Sequence, residues 1–229
     1  MSVTTTGLTK AAGVAAATAG AIFIAVQIGH PPFDAYLTHT NEWVIRCSAK
    51  AVMTVLALAG LTGIYLSQVR QMKVLGLIGY IVFGLGYLMM FATEVMAVAF
   101  LSALTDKAPA FVNNVVVASG GGHPVGDIGH LQTFFDLTGA CYLLGGLIFG
   151  IALFRARVLA RWAAALLAVS TVGTAALAVL PSSFDRPMAV PEGVALIGLG
   201  ISLWRDQRHN VAVTDASTAP IGSESVAVR

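Results

Sequence analysis

Three carboxylates stand in stretches where hydrocarbon-facing residues would be expected: Glu94, Asp136 and Glu192. Asp136 follows the loop His123-Pro-Val-Gly-Asp-Ile-Gly-His130 and falls about one and a half turns into an apolar run, where a lipid-facing helix would carry leucine. Glu94 closes a series in which Tyr80, Tyr87 and Glu94 recur every seven residues, so the three share one helical face. Glu192 follows Pro191, about one turn into the last apolar run, and the proline is expected to interrupt the helix and loosen its backbone there. Two cations enter the same zone: Glu42, Arg46 and Lys50 lie four residues apart along one face of a further helix.

An ionisable group inside a membrane is expensive and marks a functional site unless packing alone explains it. The reading is that Glu94, Asp136 and Glu192 converge from three helices at similar depth, with Arg46 and Lys50 supplied by a fourth. Three acids then face two bases, and full pairing leaves one carboxyl over. A carboxyl kept protonated is what general-acid chemistry or proton-coupled movement requires. Asp136 or Glu94 would be the acid and Glu192 its charge partner, with Arg46, Lys50, Tyr87, His130, Gln132 and His30 as binding residues. The structural alternatives are an ion-paired stripe in which Lys50 snorkels to the headgroups, and acids that satisfy one another and fix packing.

His30, His123 and His130 add imidazoles near the mouth of such a pocket, but they lack the close spacing of a metal site. Interfacial hydrogen bonding or pH gating suits them better, so no metal is expected. No phosphate-cradling glycine motif, nucleophile elbow or haem-attachment pattern occurs, so no cofactor is expected either.

The elements that must position these residues follow from composition. Of 229 residues, 57% are hydrophobic and only 10% charged, a balance that excludes an ordinary soluble domain. Apolar runs at 11–29, 44–67, 74–102, 131–154, 158–180 and 188–204 are long enough, or nearly so, to cross about 30 Å of hydrocarbon. The expected fold is an all-α, polytopic membrane bundle of about six transmembrane helices: a single domain over 1–208, then a disordered cytoplasmic tail over 209–229. The first run lacks a small-residue cleavage site, so it is read as an uncleaved helix.

If the runs alternate, Lys10, Arg70, Lys73, Arg155, Arg157, Arg161, Arg205 and Arg208 share one side. That side is the cytoplasm by the positive-inside rule, which puts both termini inside a bacterial plasma membrane. The three acids then fall in the outer half. Within the long loop at 103–130, Ala110 to Ala118 reads as a short interfacial or re-entrant segment and Gly120-Gly-Gly-His-Pro124 as a flexible hinge. Cys47 and Cys141 fall at different depths and suggest no disulfide. No basic patch with interleaved aromatics points to nucleic acid; the partners implied are membrane lipids and a hydrophobic small molecule.

The segments Trp43 to Gly79 and Leu143 to Leu167, with the basic turn Phe154-Arg-Ala-Arg-Val-Leu-Ala-Arg-Trp162, resemble small bacterial multi-pass membrane proteins of unknown function. The grouping of carboxylates in a small helical bundle is also similar in style to integral-membrane terpene cyclases, which protonate an alkene or epoxide with buried acids. That likeness of site type implies a membrane-embedded enzyme acting on a lipid or terpenoid-like substrate. A small proton-coupled carrier or accessory subunit, or a non-catalytic helical scaffold, accounts for the same residues differently.

Overall fold

The computed structural model describes residues 4–29, 37–173 and 189–218, with side chains of the last helix described as far as 206. Within them the chain is helical and contains no strand. The helices are α1 (Thr5–Ala25), α2 (Asn41–Ser67), α3 (Val69–Met96), α4 (Pro109–Ser119), α5 (Leu131–Ala156), α6 (Arg161–Gly173) and α7 (Val190–Thr218). α3 continues through a π-helical stretch, Ala97–Leu101, into a last turn at Ser102–Leu104.

Local chemistry sets the helix ends. Thr4 and Thr40 accept hydrogen bonds from the Gly7 and Trp43 amides and so cap α1 and α2. Pro109 starts α4, where its missing N–H costs nothing. Arg157 closes α5 in the left-handed conformation, φ 57°.

Four helical stretches are long and apolar enough to cross a membrane: Thr5–Ala25, Asn41–Ser67, Val69–Leu104 and Leu131–Ala156. The described part of α6 is 13 residues, and the remainder of the run expected at 158–180 lies outside the described residues. The outward face of α3 is Val74, Ile78, Ile81, Leu85 and Leu88, all exposed, while Gly79, Phe83, Gly86 and Tyr87 turn inward. Branched apolar side chains outside, with glycines and a phenol among the inward residues, is a pattern hydrocarbon solvent permits.

Packed neighbours close a ring in the order α1, α2, α3, α5, α6, α7 and back to α1. Glycines set most of these contacts and their antiparallel sense, and Thr62 bonded to Tyr80 aligns α2 with α3. A Cβ on Gly13 would lie 2.8 Å from the Gly200 carbonyl oxygen, and one on Gly200 would lie 2.7 Å from the Ala17 amide nitrogen, so α1 and α7 touch backbone to backbone. Along α3 and α5, Gly79 meets Phe149, Phe83 meets Gly145 and Gly86 meets Tyr142. Gly60 rests on Ala16 between α2 and α1, and Gly150 on Ala168 between α5 and α6. Every pair in this set runs antiparallel, so Lys10, Arg70, Lys73, Arg155, Arg157, Arg161 and Arg205 gather at one end of the bundle.

Two expectations are corrected by these elements. Pro191 does not interrupt a helix: α7 begins at Val190, so the proline sits in its first turn, where no intrahelical N–H bond is lost. The backbone helix of α7 also continues to Thr218, into the stretch whose composition suggested a disordered tail; residues 219–229 lie outside the described residues.

Because the ring depends on absent side chains, Gly200→Ala should lower unfolding free energy by about 1–3 kcal/mol through overpacking. Gly84, whose nearest neighbour for an added Cβ is the Leu58 Cδ2 at 3.7 Å, should tolerate alanine or gain up to about 1 kcal/mol. Thermal unfolding of the two variants in detergent checks the difference.

Candidate functional site

The register of α3 against α5 decides which polar groups meet. An advance from Gly79 to Gly86 on α3 matches a retreat from Phe149 to Tyr142 on α5. Continuing in step brings Glu94 level with Phe134 and Phe135, less than a turn from Asp136. α2 descends beside α3 in the same way, with Thr62 bonded to Tyr80 at 2.9 Å and Leu58 beside Gly84, so Lys50 arrives at the height of Glu94.

The result is a cleft of about 340 Å³ lined by Lys50, Glu94 and Asp136 from three helices, with Gln27 from the chain just beyond α1 and Thr93 beside Glu94. Thr138 and Ser119 add hydroxyls, and the rest of its walls are apolar, including Phe23, Met53, Met90 and Phe135. Lys50 Nζ lies 3.8 Å from the Glu94 Oε1, with both side chains largely buried. The Cys47 thiol is a close neighbour of the same carboxylate. Asp136 differs in being exposed, and it accepts a 2.9 Å hydrogen bond from Gln132 Nε2 on the preceding turn.

α4 forms the roof. Val112, Val115, Val116 and Ala118 pack into a hydrophobic cluster with Trp43 and Cys47 of α2, and with Ala97 and Leu101 of the π-helical stretch. Ala118, Ser119 and Gly121 therefore reach the cleft. The glycine-rich segment after α4 is fastened to it: Asn114 Oδ1 accepts from the Val125 and Gly126 amides at 3.2 and 3.3 Å. A hydroxyl-to-hydroxyl hydrogen bond between Thr38 and Thr105 ties the approach to α2 to the end of α3.

Glu192 lies elsewhere, which corrects the expectation that all three acids share one depth. Its carboxylate is fully buried in the centre of the ring and accepts from two phenols, Tyr87 at 3.0 Å and Tyr142 at close range. Tyr87 is one heptad below Glu94 on α3. The offset accompanies the height at which the Gly193 and Gly200 contacts hold α7 against α1. Phe83 packs against both tyrosines with ring centroids 4.9 and 5.5 Å away, giving the pair an aromatic floor.

Arg46 also stands apart from the cleft. It pairs with Glu42 at 2.8 Å and donates to the carbonyls of Val26, Ile28 and Gly29, so it caps the end of α1. His130 is exposed at the start of α5 and makes no side-chain capping bond. His30 lies outside the described residues. Among the described residues no group of three or more His, Cys, Asp or Glu could hold a metal ion, and both cysteines are free thiols.

Tyr142 and Cys47 were not singled out by sequence reading. Tyr142 carried a usable signal: a phenol at mid-helix in an apolar run needs a hydrogen-bond partner. Cys47 carried none, because a buried thiol behaves as a small apolar group until a neighbour is known.

No protein family, curated protein or solved structure matches this chain.

Removing one member of a buried pair leaves an uncompensated charge, so Lys50→Met should destabilise by about 3–5 kcal/mol. Adding Glu94→Gln should restore most of that loss. Tyr142→Phe should cost roughly 1–3 kcal/mol by leaving a buried carboxylate short of a donor. Denaturant unfolding of the four proteins, including Tyr142→Phe alone, tests both statements.

Proposed function

We propose that this chain is a membrane-embedded enzyme that takes a hydrophobic, lipid- or terpenoid-like molecule into the cleft beneath α4 and transfers a proton to it from Asp136. The observation that carries this reading is the convergence of Asp136, Glu94 and Lys50, from three helices, on one apolar-walled cleft. The volume suits a small substrate, at the low end of ligand pockets. Glu94 is already paired with Lys50, so that pair serves as a fixed dipole that orients a polar end of the substrate. Asp136 is the accessible acid, and Gln132 holds its carboxyl in place. Positioning a proton donor against an apolar substrate away from bulk water is the setting in which general-acid catalysis contributes most.

The proposal includes topology. Six membrane crossings, with α6 and α7 added to the four apolar stretches, place both termini on the arginine-rich side, which the positive-inside rule assigns to the cytoplasm. The cleft then opens toward the outer leaflet.

A second reading, a proton-coupled carrier, is favoured by Glu192. Its carboxyl lies a heptad below Glu94, between two phenols, so carboxyls are stacked at two levels of the bundle.

One comparison separates these readings. Wild-type and Asp136→Asn chains, reconstituted in vesicles containing a bacterial lipid extract, are compared by mass spectrometry of the extract and by a pH-sensitive dye inside the vesicles. The enzyme reading expects product species with the wild type alone, reduced at least a hundredfold in the variant. Proton flux without new products favours the carrier. Identical extracts and no flux, with only a shifted unfolding temperature, leave the scaffold.

A further inference from the structure

The arginine-rich end of the bundle carries a concavity that the proposed chemistry does not use. The turn between α5 and α6 folds Phe154, Arg155, Arg157 and Arg161 around a cavity of about 390 Å³, with no carboxylate in its lining. The Arg161 guanidinium lies over the Phe154 ring, 4.2 Å from its centroid, so one cation is held in place by stacking. Arg157 occupies a left-handed backbone position, φ 57° and ψ 24°, where glycine would avoid the steric cost. None of the three arginines makes an ion pair or side-chain hydrogen bond among the described residues. Topology alone needs positive charge on this side of the membrane, but it needs neither a concave arrangement nor a stacked guanidinium.

A second feature adjoins the turn. Ala160, Trp162, Ser202 and Arg205 line a groove of about 480 Å³ between α6 and α7. It continues past Ile201, Gly198 and Ile197 to Val194, an apolar track of about 10 Å at helical rise. Gly198 forms its floor, since a Cβ there would lie 2.5 Å from the Trp162 ring. A basic hollow beside an apolar track matches a molecule with an anionic head and a hydrocarbon chain.

We infer that the Phe154–Arg161 turn is a binding site for a phosphoryl anion, carried by a phospholipid headgroup whose chain lies along the Trp162 groove or supplied as free phosphate. Planar guanidinium groups with two parallel donors are suited to phosphate oxygens, and basic pockets at this face of membrane bundles suit anionic headgroups.

The test uses the full chain in neutral detergent at constant ionic strength, followed by thermal unfolding. Phosphatidylglycerol, phosphatidylcholine and inorganic phosphate are titrated separately. The wild type should be stabilised by phosphatidylglycerol and not by phosphatidylcholine. In the combined variant Arg155→Gln, Arg157→Gln, Arg161→Gln, the concentration for half-effect should rise on the order of a hundredfold. Arg70→Gln with Lys73→Gln, at another basic turn of the same end, should leave the response intact. Stabilisation of the wild type by phosphate alone, lost in the triple variant, identifies free phosphate as the source; a response confined to the lipid identifies the headgroup. If the triple variant does not fold, Arg157→Gly carries the test, because glycine suits that backbone; about a fivefold weakening is expected. An unchanged response in either arginine variant, or an equal loss in the Arg70/Lys73 control, overturns the assignment.

Discussion

Glycine against backbone is the contact on which this bundle depends. In hydrocarbon there is no hydrophobic drive to bring helices together, so close approach and the dispersion contacts it allows must do so. Gly13 and Gly20 on α1 face Gly200 and Gly193 on α7, and Gly79 and Gly86 on α3 face Phe149 and Tyr142 on α5. These are heptad repeats of missing side chains, and they act as notches. Once notched, a helix cannot slide by a turn without driving a carbonyl into an occupied position. The vertical placement of every polar group follows from that.

The polar groups consequently sort into two levels with different character. At the upper level, beneath α4, Lys50 balances Glu94, and Asp136 faces the cleft with a glutamine as its partner. At the lower level, Glu192 is sealed among aromatic rings and satisfied by two phenols. The first arrangement leaves an acid accessible; the second leaves none. A buried polar network that is fully satisfied specifies one packing, whereas an acid at a cleft wall can exchange with a visitor. Accessibility and structural satisfaction thereby fall to separate carboxylates, a division that composition alone would not suggest.

Much of the fold was legible because apolar length and the positions of Gly, Pro and Arg are local properties. The meeting of Asp136, Glu94 and Lys50 was legible too, since each lies within a few turns of the same end and shares that end with the long loop. Glu192 was misplaced for a definite reason. Counting residues from a loop measures depth along one helix, but helices are offset from one another, and the offset is fixed by contacts between distant parts of the chain. Arg46 was misjudged because its spacing from Lys50 suggested a common task, although the bare carbonyls ending α1 claim it first. Pro191 was read as a break because proline signals a helix end or a helix start, and the sequence does not say which side of it is helical.

The π-helical stretch at Ala97–Leu101 has a consequence for how the chain tolerates change in length. A widened turn accommodates one more residue than an α-helical ladder over the same rise. Excising a single amino acid there would return the ladder to ordinary spacing with the far side still in phase, whereas drawing all five residues into an α-helical ladder would rotate everything beyond them by roughly 100° about the helix axis. Leu101 would leave the cluster beneath α4, and Thr105 would turn from Thr38. The extra residue thus works as a phase adjuster: it lets one continuous helix present Glu94 to its partners on one azimuth and anchor the roof on another.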